Sequence, residues 1–188
     1  MNNKFLAQAL NKIAKAYLFI YLNFNLNFGS VSISLIPSWL GYLWIHQTIQ
    51  TLKEKQKTLT LLEPLCFALM IYHGIDWCLN ILGLSFHSDI ISLFSEIISL
   101  YFHFQFLTDL AEITASYECP STQKLLQLRT LRTVLLTIPA LPLPWKQITW
   151  SIILIVLIYI IVTVATCSTL FTLENELKER GCDKIEKM

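Results

Sequence analysis

The sequence predicts an all-α membrane protein, a bundle of five to six membrane segments with a short β-hairpin at about 23–36 between the first two helices. Composition is the first of three reasons. Hydrophobic residues make up 54% of the 188 and charged ones 14%, where a soluble domain carries about 25% charged residues. The mean hydropathy is +0.54. Second, the apolar residues come in long blocks. Trp150–Phe171 is Ile/Val-rich and has no charge, long enough to cross a hydrocarbon core about 30 Å thick. Third, the basic residues segregate to one end of each segment, as shown below. The net charge of +1 exerts no general pull on nucleic acid, so nucleic acid is not an expected partner. One integral membrane domain, 1–188, is expected, with the bilayer as its surroundings.

Residues 4–22 read as an amphipathic helix. Phe5, Leu6, Ala9, Leu10, Ile13, Tyr17, Ile20 and Tyr21 form the apolar face, and Lys4, Gln8, Asn11, Lys12 and Lys15 the polar one. Too few apolar residues follow Lys15 for a simple span, so segments 1 and 2 are either full spans or a re-entrant pair. Residues 23–36 change to a period of two. A turn at Gly29-Ser30 pairs Phe28 with Val31, Leu26 with Ile33 and Phe24 with Leu35 on an apolar face, and Asn27 with Ser32 and Asn25 with Ser34 opposite. An open ribbon cannot face lipid, so it caps the bundle or lies sheltered in a re-entrant loop.

Five helices follow. Residues 37–56 end at Lys53, Lys55 and Lys57. Residues 60–83 carry Pro64 in the first turn, where proline is tolerated. Residues 88–118 start at the cap candidates Ser88 and Asp89. Residues 121–138 end at Pro139, Pro142 and Pro144, an extended piece that completes a crossing. The last helix, 147–180, has Glu174–Lys178 and Glu176–Arg180 at i, i+4 and stops at Gly181. With the N-terminus in the cytoplasm and six crossings, every one of the 14 Lys and Arg residues except Lys146 falls inside, as the positive-inside rule requires. This predicts a multi-pass plasma-membrane protein with both termini cytoplasmic. No cleavable signal peptide is evident, because Lys12 and Lys15 interrupt the first apolar run and no small-residue cleavage site follows.

Chemistry is suggested at one place. His73, Asp76 and Asn80 share a helical face, as do Ser92, Glu96, Ser99 and His103. Folding about Phe86 sets Asp76 level with Glu96, about 15 Å deep. Two facing carboxyls cannot both stay ionised without a cation. His73, Asp76, Glu96 and His103 are therefore the candidate proton or cation site, and two carboxylates with His73 could hold a divalent metal. The plainer reading is interhelical hydrogen bonding by neutral acids and serines. A second alignment, about Pro120, sets Glu118 against Lys124, Glu112 against Arg129 and Asp109 against Arg132, and predicts structural ion pairs. Substrate binding by Arg129 and Arg132 is the lesser use of the same residues. The five cysteines form no C-x-x-C and read as reduced packing residues. No phosphate loop, nucleophile elbow or dinucleotide fingerprint is present, so no cofactor is required.

The run NFNLNF…ISLIPSWLGYLWIHQ resembles the N-terminal region of small multi-pass membrane proteins of Gram-positive bacteria to which no activity is attached. The resemblance covers about residues 1–52, implies a bacterial plasma membrane and carries over no functional residue. Three functions fit the sequence. The first is an accessory or scaffolding membrane subunit working with another membrane protein or as a homo-oligomer, and no enzyme. The second is a small proton- or cation-coupled carrier using Asp76 and Glu96. The third is an intramembrane metal-dependent enzyme.

Overall fold

The computed structural model describes residues 3–21, 25–28, 31–34, 37–84, 89–140 and 149–186. Six helices run through them: α1 (Asn3–Tyr21), α2 (Ser38–Leu52), α3 (Thr58–Ile81), α4 (Asp89–Ala115), α5 (Thr122–Ala140) and α6 (Thr149–Glu186). Between α1 and α2, β1 (Asn25–Phe28) and β2 (Val31–Ser34) pair antiparallel, with Leu26 opposite Ile33 and Asn27 opposite Ser32. The Gly29-Ser30 turn and the Phe24–Leu35 pair lie outside the described residues, as do Phe86, His87, Ser88, Pro142 and Pro144.

Each helix packs on the next in the chain, and α6 returns to pack on α1, so the six close into a ring. Short connections make sequence neighbours antiparallel neighbours. Flanked by α2 and α6, α1 buries more than a stripe. Leu6, Leu10, Ile13 and Tyr17 are fully buried, and so are Ala7, Ala14 and Ala16. Phe5, placed on the apolar face by its period, is 54% exposed.

Among the described residues, three helices are long and apolar enough to cross a membrane: α3, Ile90–Ala115 of α4 and Ile153–Glu179 of α6. This is fewer than the five to six segments expected. The lysines of α1, the 15 residues of α2 and the low hydropathy of α5 keep those three out of the set. Each of the three candidates has a face of large apolar residues that points outward: Ile71, Ile75, Leu93, Phe94, Leu154 and Leu157 are all exposed, as helices facing lipid require.

Helix limits differ from expectation: α2 stops at Leu52 and α4 at Ala115, short of 56 and 118, and three further differences involve proline or glycine. α3 begins early, so Pro64 lies inside it and withdraws the rung to the carbonyl of Thr60. α5 runs through Pro139 to Ala140, since a proline in a last turn removes one bond without blocking the turns before it. α6 passes Gly181 and reaches Glu186. One glycine costs a helix about 1 kcal/mol, which 38 residues of continuous helix absorb. Gly41 has a stricter role. A Cβ there would stand 2.6 Å from the carbonyl oxygen of Ala16 and 2.6 Å from Cγ1 of Ile20, so it sets how closely α1 and α2 approach.

Candidate functional site

The ring is filled at one level by polar aromatic and cationic side chains, to which every helix contributes. His103 lies at about 21 Å along α4, near the middle of a helix about 40 Å long, and is 3% exposed. Its Nε2 is 3.2 Å from the Tyr42 hydroxyl and its Nδ1 is 3.3 Å from that of Tyr17. The Tyr42 hydroxyl also lies 3.4 Å from Ser99 Oγ. In a neutral imidazole one nitrogen donates and the other accepts, so one tyrosine accepts a proton here and the other offers one. The result is a continuous hydrogen-bonded series, Ser99–Tyr42–His103–Tyr17. His73 stacks flat on Tyr42, with ring centroids 5.0 Å apart and an interplanar angle of 8°.

Arg132 of α5 closes the group on the other side. Its guanidinium lies 3.8 Å from the centre of the Tyr21 ring and 5.2 Å from that of Tyr17. Tyr159 of α6 stands edge-on to Tyr21 at 6.0 Å. Arg132 is 2% exposed, and Nε, Nη1 and Nη2 all lack a hydrogen-bond partner. The hydroxyls of Tyr21 and Tyr159 approach it without reaching hydrogen-bonding geometry. The charge is permanent, and the ring faces supply only part of the stabilisation that water would.

His73 and His103 thus belong to one cluster, bridged by Tyr42. Asp76 and Glu96 do not belong to it. Both are exposed, and no hydrogen bond or ion pair joins them among the described residues. Asp76 accepts from Asn80 Nδ2 at 3.1 Å, one turn on in its own helix. Because α3 ends at Ile81 and α4 begins at Asp89, Asp76 is only about 7.5 Å from its helix end and Glu96 about 10.5 Å from its own. That is nearer the headgroups than the mid-membrane depth a tight turn at Phe86 implies. Among the described residues no group of three or more His, Cys, Asp or Glu is placed to hold a metal.

The α4/α5 charge ladder also resolves differently. Asp109 is fully buried, but it accepts from Gln105 Nε2 at 2.8 Å, and its Oδ2 has no partner. Arg132 does not reach it. Arg129 donates to Thr108 Oγ1 at 2.8 Å and lies 4.3 Å over the Phe104 ring instead of pairing with Glu112. Glu112 accepts from Gln56 in the α2–α3 turn. Matching residues by depth sets their level but not their azimuth. The acids turn toward α3 and the α2–α3 turn, the arginines toward α1 and the α4 surface. Glu118 takes a left-handed φ of 56° in the turn before α5, and Lys124 is exposed.

At the C-terminal end of the bundle, Glu174 is buried, accepting from Asn11 Nδ2 and from Lys178 Nζ, each at 2.6 Å. Glu176 accepts from the Ser121 hydroxyl and amide at the start of α5, where a helix N-terminus favours negative charge. The side chain of Arg180, its expected partner, lies outside the described residues.

Periodicity placed Tyr17 and Tyr21 on an apolar face but could not mark them, or Tyr42 and Tyr159, as part of a polar cluster, because a tyrosine leaves no gap in an apolar helix. Arg132 did leave one. Comparison with protein-family models, with curated proteins and with solved structures finds no match to this chain.

Proposed function

We propose that the protein is an accessory or scaffolding subunit of a membrane assembly in a bacterial plasma membrane, with both termini in the cytoplasm. The observation that carries this reading is the build of the inner end of the bundle. α6 has 38 residues, about 57 Å of helix against a hydrocarbon core of about 30 Å. Its projecting part is tied to α1 through Glu174–Asn11 and to the start of α5 through Glu176–Ser121. The projecting part of α6, the start of α5 and the first half of α1 are thereby held together, which is what a docking partner needs. Interlocked side chains from all six helices fill the axis above them, as suits a rigid support.

A photo-crosslinking residue at Glu179 or Gln123, both exposed, tests this in native membranes. One recurring membrane-protein adduct from both positions is expected, with none from the lipid-facing Leu154. An adduct with the protein itself identifies a homo-oligomer. Lipid adducts alone from all three positions reject the proposal.

A second reading, proton handling, draws on the Ser99–Tyr42–His103–Tyr17 series instead of Asp76 and Glu96, because chains of ionisable groups inside membranes serve as relays. Proton flux into liposomes that is lost in His103→Phe and kept in Asp76→Asn supports it. Equal flux with and without the protein rejects it.

A further inference from the structure

A small crevice opens between α4 and α5, lined by the polar Arg129, Arg132, His103 and Thr133 and by the apolar Leu100, Phe104, Leu107 and Leu136. We propose that this crevice is an oxyanion site that takes the phosphate or carboxylate head of an amphiphile from the bilayer.

Arg132 carries the argument. It is 2% exposed, permanently charged and lines the crevice, with all three guanidinium nitrogens lacking an acceptor. Nε of the adjacent Arg129 is buried and unpartnered as well. Buried charges are otherwise paired, because an unpaired one loses its hydration with no return. Asp109, the α4 carboxylate expected opposite it, is engaged with Gln105, and the Arg132 guanidinium is met by tyrosine ring faces and by the Tyr21 and Tyr159 hydroxyls, none of them in hydrogen-bonding geometry. A guanidinium fork matches two oxygens of a phosphate or carboxylate. The free space, about 10 Å³, admits one small atom such as an anionic oxygen, so the rest of a head group would sit at the mouth. Four of the eight lining residues, Leu100, Phe104, Leu107 and Leu136, are apolar, which suits an acyl chain and not a water-soluble ion. The site is independent of the docking surface at the bundle's inner end.

The test uses the full chain in phosphatidylcholine nanodiscs, with and without phosphatidylglycerol, and a separate arm of pure phosphatidylcholine discs with inorganic phosphate. Thermal unfolding by tryptophan fluorescence and lipid retained in native mass spectrometry are the readouts. Retention of one phosphatidylglycerol and a raised midpoint are expected, weakened about tenfold by Arg132→Gln through the loss of charge-assisted hydrogen bonds. Arg129→Gln should weaken retention less, and Leu136→Trp should block it with both arginines kept. Those two variants decide the matter should Arg132→Gln not fold. Stabilisation by inorganic phosphate alone, if it depends on Arg129, keeps the oxyanion site and overturns the lipid as its source. No preference for phosphatidylglycerol and no response to phosphate overturns the proposal, as does retention unchanged in Arg129→Gln and Leu136→Trp.

Discussion

Gly41 shows how one missing carbon positions two helices. Any Cβ there collides with the Ala16 carbonyl, which is backbone and cannot rotate away, and with Ile20. Gly41→Ala should therefore destabilise by about 1–3 kcal/mol, the usual cost of overpacking, although alanine is the better helix former. A lowered midpoint of thermal unfolding in detergent checks it; a raised midpoint would mean that α1 and α2 are not held at this distance. His103 makes the opposite case, a polar side chain whose loss leaves a partner stranded. His103→Phe removes the acceptor and donor facing Tyr17 and Tyr42; Tyr42 keeps its contact with Ser99, while the stranded Tyr17 hydroxyl costs about 1–3 kcal/mol. Asp76→Asn should change stability by less than about 0.5 kcal/mol, as exposed positions do. A large loss there would show that Asp76 is engaged with something beyond Asn80. The sequence marks Asp76, Glu96 and His103 alike as ionisable groups among apolar neighbours. Only His103 turns inward, because local pattern records which face a residue occupies and not which neighbour stands before it.

The helices themselves were largely legible. Long apolar blocks and a 3.6-residue period located all six, and alternating Asn and Ser placed the intervening residues in a period of two. Limits were less legible, since Pro139 and Gly181 weaken a helix without stopping it when the turns on one side are already formed. Pairing between helices follows a balance of magnitudes that can be tested at the inner end. The Glu174–Lys178 bridge has a half-exposed lysine and contributes about 0.3–0.5 kcal/mol as an i, i+4 pair. The Asn11 bond joins α1 to α6 and is better buried, so Glu174→Ala should cost about 1–3 kcal/mol and Lys178→Ala only a few tenths. Equal losses in the two variants, measured by unfolding in detergent, would show that the surface pair governs the contact.

Closure of the ring determines what meets on its axis. Its orientation is testable by labelling single cysteines at positions 4 and 179 in intact cells and in inverted vesicles, using a chain with its native cysteines replaced. Both positions should react with an impermeant thiol reagent only in inverted vesicles; labelling of either in intact cells would overturn the cytoplasmic assignment. Composition, apolar blocks and the placement of lysine and arginine are properties of the chain read in one dimension, and they suffice for a helical membrane protein and the order of its elements. Azimuth is different. The return of α6 onto α1 turns His103, Arg132 and four tyrosines toward one another and leaves Asp76 and Glu96 outside, because every helix's rotation is set by both of its neighbours at once. No single segment encodes that condition, and the unpartnered guanidinium at the centre of the bundle is its consequence.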